Sequence, residues 1–275
     1  ARNRLSLSDR TGTALAVRAS RRAIRVRYAA WMNDNEWFER GHVAIVTGAS
    51  KGLGRAVARE LARRGIALVI DARGAAGLAD AEAELREHAP VVALAGDVAD
   101  GAHVHRLIDA AQERFGRIDL VVNNASTIGR SPLPALEYLS PATLERIYAT
   151  NVFAPLHLVQ HALPIMRANG GGTIVNITSD AAVEAYAGWG GYGSAKAALE
   201  QLSRILAAEL EGSGISVLVA DPGDMDTELH RLAVPDAAAD GVADPERVAP
   251  ALLQAIATPR ATFARVTLQQ VAAHA

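Results

Sequence analysis

The sequence predicts an α/β fold in which helices cover both faces of a doubly wound parallel sheet, giving a three-layer α/β/α arrangement. From residue 43 onward, apolar runs of strand length alternate with segments of helix length. Such alternation is typical of parallel strands joined by right-handed helical crossovers. The first run, Val43-Ala44-Ile45-Val46, is wholly apolar, as expected of a strand that is buried on both faces of a sheet.

Six strands and five intervening helices are predicted in order along the chain. The strands are expected at 43–46, 67–70, 91–95, 120–122, 173–177 and 215–219. The helices are expected from the turn after the first strand to about residue 64, and then at 75–88, 101–115, 140–168 and 192–211. The segment 222–245 is irregular and rich in Pro, Asp and Gly, which suits either a mobile flap over a site or an ordinary surface loop.

Charge and pattern divide the chain into an N-terminal extension, residues 1–40, and a single domain, residues 41–275. Residues 1–30 hold eight Arg and one acid, a charge of +7, whereas the whole chain carries −2, so the remainder carries −9. An acidic main body argues against nucleic-acid binding. The extension could have little structural meaning, be an Arg-rich targeting segment, or dock as a helix through Trp31, Trp37 and Phe38.

Two features that the sequence lacks limit the cellular locations and the catalytic chemistry to be expected of the protein. The chain has no cysteine, which excludes disulfides and thiol catalysis and gives no sign of secretion. It has no run of 18 or more uncharged apolar residues, so no membrane-spanning helix is predicted. We therefore expect a cytoplasmic protein without a membrane partner, and we assign no metal ligand.

Glycine or polar residues follow every predicted strand, where an open parallel sheet binds its ligands. The first strand leads into Gly48-x-x-x-Gly52-x-Gly54, whose glycines allow a tight turn and close approach to a pyrophosphate at the next helix N-terminus. The later strand ends carry Asp71-Ala72-Arg73, Asp97-Val98, Asn123-Asn124-Ala125-Ser126, Thr178-Ser179 and Asp221-Pro222-Gly223. Asp97 is expected either to contact an adenine or to cap the following helix.

Tyr192 and Lys196 are four residues apart on the predicted helix 192–211, which places their side chains on one face. A neighbouring ammonium favours phenolate, so this spacing predicts a Tyr192 pKa below its ordinary value of about 10. Lys51 and Lys196 are the only lysines among 28 basic residues. Both lie in candidate site motifs, which indicates positions that need a compact ammonium rather than a guanidinium.

Taken in order, these motifs resemble those of the short-chain dehydrogenase/reductase (SDR) family, whose members have a single Rossmann-like domain of this length. The matching residues are Thr47-Gly48-x-x-x-Gly52-x-Gly54, Asp97-Val98, Asn123-Asn124-Ala125, Asn151, Ser179, Tyr192-x-x-x-Lys196 and Pro222-Gly223. The resemblance runs from about Gly41 to the end of the sequence. It implies a Rossmann-like fold, with a seventh strand supplied by residues 262–268.

The resemblance also implies four catalytic residues: Asn151, Ser179, Tyr192 and Lys196. Tyr192 would exchange a proton with the substrate oxygen, and Ser179 would hydrogen-bond that oxygen. Lys196 would lower the Tyr192 pKa and hold the nicotinamide ribose. Asn151 would disturb its helix locally and support a water linked to Lys196. The implied cofactor-binding residues are Gly48, Ser50, Lys51, Gly52, Leu53, Gly54, Arg73, Asp97, Val98, Asn124, Ala125, Tyr192, Lys196, Pro222, Gly223 and Thr227.

Residues near the first two strand ends favour NADP(H) over NAD(H). In NAD-type members of the family an acid stands where this chain has Ala72, and NADP-type members commonly carry a cation where it has Lys51. Lys51 and Arg73 could therefore clamp a 2′-phosphate. Asp71 stands one residue too early and is expected to face elsewhere. If Asp71 instead reached the ribose, NAD(H) would be preferred.

The sequence thus predicts an NADP(H)-dependent oxidoreductase acting on a small-molecule carbonyl or secondary alcohol. The alternative is a dinucleotide-binding sensor or scaffold of the same fold with little turnover, and a third candidate acts on a hydroxyacyl carrier substrate. Glu184, Tyr186 and Trp189 are expected to border the substrate pocket, with 224–243 as its lid. The resemblance further implies a homodimer or homotetramer built through the helices at 140–168 and 192–211.

Overall fold

The computed structural model describes residue 38 and residues 41–235, 242–258 and 261–268. The predicted N-terminal extension therefore lies outside the described residues apart from Phe38, and so do positions 236–241 of the predicted lid. The described residues from position 41 onward belong to one compact unit. Within the described ranges, none of the helices is both long and apolar enough to cross a membrane.

Seven parallel strands form one sheet in the described part of the chain. They are β1 Val43–Val46, β2 Ala67–Ala72, β3 Val91–Ala95, β4 Leu120–Asn123, β5 Gly172–Ile177, β6 Ile215–Asp221 and β7 Phe263–Thr267. Their order across the sheet is β3-β2-β1-β4-β5-β6-β7. β1, β2 and β4 are buried along their whole length, because helices cover both faces. The predicted fold is confirmed, and the seventh strand is present.

Eight α-helices accompany these strands in the described ranges. They are α1 Gly52–Arg63, α2 Ala75–Leu85, α3 Gly101–Phe115, α4 Pro141–Tyr148, α5 Ala154–Ala168, α6 Gly190–Glu209, α7 Glu228–Ala233 and α8 Pro245–Ala257. On one face of the sheet, Leu107 of α3 and Leu158 of α5 share an apolar cluster with Ile45 and Val121. α1 and α8 pack against each other in the second helical layer.

The predicted helix 140–168 is divided in the structure. The hydroxyl of Ser140 accepts a hydrogen bond from the N–H of Thr143 and caps α4. A π-helical turn, Ala149–Phe153, separates α4 from α5. Asn151 lies in the middle of this turn and is fully buried, so the predicted local disturbance at Asn151 is present. Single π-helical turns inside α-helices frequently accompany functional sites.

The strand order reverses between β1 and β4. The chain runs outward from β1 through β2 to β3, then returns to β4 and runs outward the other way to β7. The connections that leave the carboxyl ends of β1 and β4 therefore diverge and leave a crevice between them. Ligands of doubly wound sheets bind at such a crevice, so the predicted site residues are expected to surround it.

Candidate active site

A cavity of about 750 Å³ lies at the carboxyl ends of the strands, and its size is within the range of small-molecule and cofactor sites. The predicted site residues that line it are Gly48, Ser50, Lys51, Gly52, Leu53, Arg73, Asp97, Val98, Asn124, Ala125, Ser179, Tyr192, Lys196, Pro222, Gly223 and Thr227. The structure therefore brings together residues from six strand ends. The predicted residues Gly54 and Asn151 do not line the cavity. Gly54 lies close to the backbone of Gly48, and Asn151 forms hydrogen bonds with the backbone of Thr127.

The turn between β1 and α1 brings backbone close to the cavity because glycine occupies its key positions. Gly48 has a φ of +69°, and a Cβ there would lie 3.0 Å from the Cα of Ala125. A Cβ on Gly54 would overlap the carbonyl oxygen of Gly48. The side chain of Lys51, the N-cap residue of α1, makes no capping hydrogen bond. The first N–H groups of α1 are therefore available to an anion.

Asp71 at the end of β2 is only 1% exposed, and both of its carboxylate oxygens are engaged. Oδ1 accepts a 2.9 Å hydrogen bond from the N–H of Gly48. Oδ2 lies 3.0 Å from Nε2 of His103 on α3, a side chain that is fully buried. The carboxylate thus ties the glycine-rich turn to α3. Asp71 also lines the cavity, so the expectation that it faces elsewhere is not met, although both of its carboxylate oxygens are bonded within the protein.

Lys51 and Arg73 are exposed cations on the cavity wall. The ammonium of Lys51 forms an ion pair with Glu228, the first residue of α7. The hydrogen bond and the charge of Lys51 hold the pKa of Glu228 below its usual value, and Arg73 acts in the same direction. The predicted pair of cations therefore has a carboxylate partner, which the sequence did not indicate.

Asp97 was predicted either to contact a ligand or to cap α3, and the capping alternative is wrong. The N-cap residue of α3 is Asp100, whose carboxylate accepts a hydrogen bond from the N–H of Ala102. Asp97 instead accepts a 2.9 Å hydrogen bond from the N–H of Ala99. This hydrogen bond engages one carboxylate oxygen of Asp97 within its own turn. Asp97 is also exposed and lines the cavity.

Tyr192 and Lys196 lie on one face of α6 and both line the cavity. Nζ of Lys196 is 5.4 Å from the centre of the Tyr192 ring. The ammonium also donates a 2.8 Å hydrogen bond to the carbonyl oxygen of Ile177, the last residue of β5. Tyr192 is 7% exposed and Lys196 2% exposed, so both polar groups are largely removed from solvent.

The prediction that Lys196 lowers the pKa of Tyr192 is wrong for this structure. Burial is the main influence and raises the Tyr192 pKa above its ordinary value, while interactions with the hydroxyls of Ser126 and Ser179 oppose the rise only in part. Burial also lowers the pKa of Lys196 to about 8. Tyr192 is therefore protonated at neutral pH, and Lys196 is still mostly charged there.

Two hydroxyl groups accompany Tyr192 on the cavity wall, the predicted Ser179 and the unassigned Ser126. Oγ of Ser179 donates a 2.9 Å hydrogen bond to Oδ1 of Asp180. Oγ of Ser126 donates a 3.2 Å hydrogen bond to Oδ1 of Asn151. Sequence reasoning placed Ser126 at the end of the fourth strand but assigned it no role. The available signal was its position directly after the Asn124-Ala125 strand end.

Asn151 holds the cavity wall without reaching the cavity. Its Nδ2 donates a 2.9 Å hydrogen bond to the carbonyl oxygen of Thr127. Its Oδ1 accepts a 2.9 Å hydrogen bond from the N–H of Thr127 as well as the bond from Ser126. The buried amide thus connects the π-helical turn to the segment after β4. A water link from Asn151 to Lys196 stays a prediction.

Of the three residues predicted to border the substrate pocket, Trp189 alone lines the cavity, and Glu184 and Tyr186 do not. The Trp189 ring centre is 5.7 Å from that of Tyr192. Tyr186 is exposed, and its hydroxyl donates a 2.8 Å hydrogen bond to Asp180. Residues 224–231 and Ala233 also line the cavity, and they belong to the described part of the predicted lid.

Comparison of the sequence with known protein families finds one match that covers most of the domain. Residues 42–237 match a family described as short chain dehydrogenase. A curated relative, the rhamnolipids biosynthesis 3-oxoacyl-[acyl-carrier-protein] reductase of Pseudomonas aeruginosa, is 36% identical over 200 residues. These residues cover 70% of this chain and 75% of that protein.

Two solved structures with bound nucleotides are similar in fold. An alcohol dehydrogenase from the archaeon Thermococcus sibiricus, complexed with 5-hydroxy-NADP, gives a TM-score of 0.72 at 29% identity, covering 82% of this chain and 95% of that chain. A 7α-hydroxysteroid dehydrogenase, complexed with NADH and 7-oxo glycochenodeoxycholic acid, gives a TM-score of 0.75 at 27% identity. That alignment covers 85% of this chain and 96% of that chain.

Proposed function

The chain belongs to the short chain dehydrogenase family, and we propose that it transfers hydride between NADP(H) and a carbonyl or secondary alcohol, with Tyr192 as general acid and base. Membership of the family makes the chain a hydride-transferring oxidoreductase. The observation that carries the finer proposal is the burial of Tyr192 beside Lys196 in a cavity whose wall also includes the glycine-rich turn.

The residues of the cavity fit a nicotinamide dinucleotide. The turn at Gly48 leaves a cradle that a Cβ would fill, and the open N–H groups of α1 suit a pyrophosphate. When bound, the cofactor would supply or accept the hydride. The residues proposed to hold it are Gly48, Ser50, Lys51, Gly52, Leu53, Arg73, Asp97, Val98, Asn124, Ala125, Tyr192, Lys196, Pro222, Gly223 and Thr227, with Gly54 packed behind them.

In the direction of reduction, Tyr192 would donate its phenolic proton to the oxygen of the substrate carbonyl. A general acid must hold its proton before the reaction, and Tyr192 does so at neutral pH. The raised pKa by itself makes the transfer of that proton harder, because an efficient general acid has a pKa near the working pH. Ser179 would hydrogen-bond the same oxygen. The ammonium of Lys196 would stabilise the phenolate that remains. Asn151 would complete the set by holding the Ser126 segment and by supporting the predicted water link to Lys196.

The choice of NADP(H) over NAD(H) rests on three residues at one end of the cavity. Both oxygens of the Asp71 carboxylate are bonded within the protein, so its ability to accept from a ribose is reduced. Lys51 and Arg73 are exposed on the same wall and would pair with a 2′-phosphate. Relatives were solved with either type of nucleotide, so this choice depends on the residues of this chain.

The proposal is tested by titrating NADPH and NADH separately into the full chain and following nucleotide fluorescence. The preferred nucleotide is then used to screen ketones, aldehydes and 3-oxoacyl thioesters by the loss of nicotinamide absorbance. We expect tighter binding of NADPH and its oxidation by at least one carbonyl. Tighter binding of NADH would overturn the cofactor assignment. Binding of either nucleotide without turnover on any carbonyl would favour the sensor or scaffold alternative.

A 3-oxoacyl thioester is included because of one specific observation. The curated relative described above is named a 3-oxoacyl-[acyl-carrier-protein] reductase. Its substrate is also a ketone, so the same roles of Tyr192 and Ser179 would apply. If thioesters are reduced in preference to simple ketones, the hydroxyacyl carrier candidate is the correct form of the proposal.

We propose in addition that the chain forms a homodimer or homotetramer through α4, α5 and α6. Phe153, in the π-helical turn before α5, and Ile205 on α6 are large apolar side chains that are 58% and 47% exposed. Covering such side chains in an interface is favourable. Light scattering of the purified chain would give the oligomeric state, and a monomer at working concentration would contradict the proposal.

A further inference from the structure

Three histidines form a cluster between α3 and α5, in the helical layer of the sheet. His157 and His161 are four residues apart on α5, and His105 approaches them from α3. The ring centres of His105 and His161 are 4.2 Å apart, and those of His157 and His161 are 4.6 Å apart. The third pair, His105 and His157, is separated by 5.3 Å. The proposed reaction uses none of these side chains.

We propose that His105, His157 and His161 form a Zn²⁺ site that joins α3 to α5. One ring nitrogen of each histidine lies within 4.8 Å of the others. Tetrahedral zinc has bonds to nitrogen of about 2.0–2.1 Å, which places ligand nitrogens about 3.3 Å apart. The three nitrogens therefore need to approach by at most about 1.5 Å. His105 is exposed and the other two are half-buried, so side-chain rotation suffices.

Three imidazole nitrogens from two helices match the number and the type of ligand that catalytic zinc sites use. Two histidines at positions i and i+4 of a helix present their rings on one face, which is the spacing of known helical zinc ligands. A third histidine from a second helix completes a three-nitrogen set, and the exposed side at His105 leaves the fourth position to water. Imidazole also binds Cu²⁺ and Ni²⁺, so the identity of the ion is part of the test.

The surroundings of the cluster supply space and a counter-charge. A Cβ on Gly101, the first residue of α3, would lie 3.1 Å from Cε1 of His157, so glycine at this position leaves room for the ring. The carboxylate of Asp109, one turn after His105, interacts electrostatically with His161. A carboxylate at this place would offset the charge of the ion and could accept a hydrogen bond from a ligand.

The site is tested on the full chain purified without a polyhistidine tag. Isothermal titration calorimetry with Zn²⁺, after treatment with EDTA, measures stoichiometry and affinity. Titration with Co²⁺ reports tetrahedral nitrogen ligation through its visible absorption. We expect one Zn²⁺ per chain and a melting temperature that rises with Zn²⁺ and falls again with EDTA. Because the fold brings His105 of α3 next to the pair on α5, the ion should bind the native chain more tightly than the unfolded chain, and the shift should grow with Zn²⁺ concentration.

Variants distinguish a site across two helices from simple chelation by the pair on α5. His105→Gln, His157→Gln and His161→Gln should each weaken Zn²⁺ binding by at least about tenfold, since loss of a mere outer-shell partner already costs that much. His88→Gln, at an exposed histidine after α2, is the matched control and should bind normally. The proposal would be overturned if His105→Gln bound Zn²⁺ normally or if the chain bound no Zn²⁺ at all. It would also be overturned by a stoichiometry of one ion per two chains, or by tighter binding of Cu²⁺ at a different stoichiometry.

Discussion

Lys51 and Glu228 form an ion pair that joins the glycine-rich turn to the start of α7 across the wall of the cavity. The same two segments approach closely at a second point, where a Cβ added to Gly52 would lie 3.3 Å from the methyl group of Thr227. Both charged side chains are exposed, so solvent screens their attraction and the pair contributes little to stability. A phosphate with two negative charges could therefore replace Glu228 at Lys51.

Glu228→Gln is expected to increase the affinity for NADPH without changing that for NADH. The substitution removes the carboxylate that competes for Lys51 and that repels a 2′-phosphate. Because the charges are exposed, the gain should be roughly two- to fivefold. Fluorescence titrations of both nucleotides measure it. Glu246→Gln is the matched control, since Glu246 also lies in the first turn of a helix and pairs with an arginine, Arg59, but does not line the cavity.

Lys51→Ala and Arg73→Ala are expected to weaken NADPH binding and to leave NADH binding nearly unchanged. Hydrogen bonds between charged groups contribute about 1.5–3 kcal/mol, and exposure reduces this, so each loss should be about tenfold in Kd. Arg114→Ala, at an exposed arginine of α3 away from the cavity, serves as control. Equal losses for both nucleotides would show that the two cations bind the shared pyrophosphate instead.

Tyr192→Phe is expected to reduce kcat by at least about 10²–10⁴, the usual contribution of a general acid. Nucleotide affinity should change little, since the phenyl ring keeps its packing against Trp189. Tyr186→Phe is the matched control, because Tyr186 bonds to Asp180 on the surface and does not line the cavity. Turnover that persists in Tyr192→Phe, or that is lost equally in Tyr186→Phe, would contradict the assignment of the acid.

The features that sequence reasoning located are those encoded by neighbouring residues. The turn at Gly48, Gly52 and Gly54 and the spacing of Tyr192 and Lys196 are short patterns. Their placement after a strand or on a helix is enough to predict where they lie. The structure confirms the strands that carry them and brings Tyr192 and Lys196 to the same cavity as the glycine-rich turn.

The features that sequence reasoning missed depend on contacts between distant segments. Glu228 is 177 positions from Lys51, and no local pattern indicates that they meet. Ser126 gains its position from the bond to Asn151 in the π-helical turn. The direction of the Tyr192 pKa shift depends on how much water the fold excludes from the side chain, since desolvation outweighs the interactions with the hydroxyls of Ser126 and Ser179.

Lys196→Met is expected to abolish turnover but to stabilise the protein at pH 7. The pKa of Lys196 is lowered to about 8 by burial, so below pH 8 the folded chain bears the cost of a buried ammonium. Between pH 8 and the ordinary pKa of about 10.4, the unfolded chain holds a proton that the folded chain has lost, and stability rises with pH. The advantage of the variant should therefore shrink across this window.

Urea unfolding of both proteins at pH 7 and pH 10 measures this difference. At pH 7 the gain should be on the order of 1–2 kcal/mol, because the lost hydrogen bond to Ile177 offsets part of the desolvation cost. At pH 10 the gain should be absent. Lys51→Met, at an exposed lysine, controls for the change of residue type and should show no such dependence. A gain that stays constant with pH would contradict a lowered Lys196 pKa.

Asn151→Ala is expected to lower both stability and kcat, because this amide positions the cavity wall. The substitution leaves the N–H and the carbonyl oxygen of Thr127 without their partner. Because Thr127 is half-buried, each of these groups should cost toward the lower end of the about 1–3 kcal/mol of an unsatisfied buried group. A loss of about 2–4 kcal/mol in the free energy of unfolding should follow. Asn169→Ala is the control, since Asn169 makes a single 3.4 Å bond to Ile118 and should cost far less.

The kinetic effect of Asn151→Ala separates positioning from general destabilisation. Release of Ser126, which lines the cavity beside Tyr192, and of its neighbour Thr127 would disturb this wall. The glycine-rich turn has its own support from Asp71. We therefore expect kcat to fall at a temperature where the variant is fully folded, with the KM for the nucleotide nearly unchanged. Equal changes in kcat and in the nucleotide KM would indicate that the whole cavity has loosened, and that Asn151 has no particular role at Tyr192.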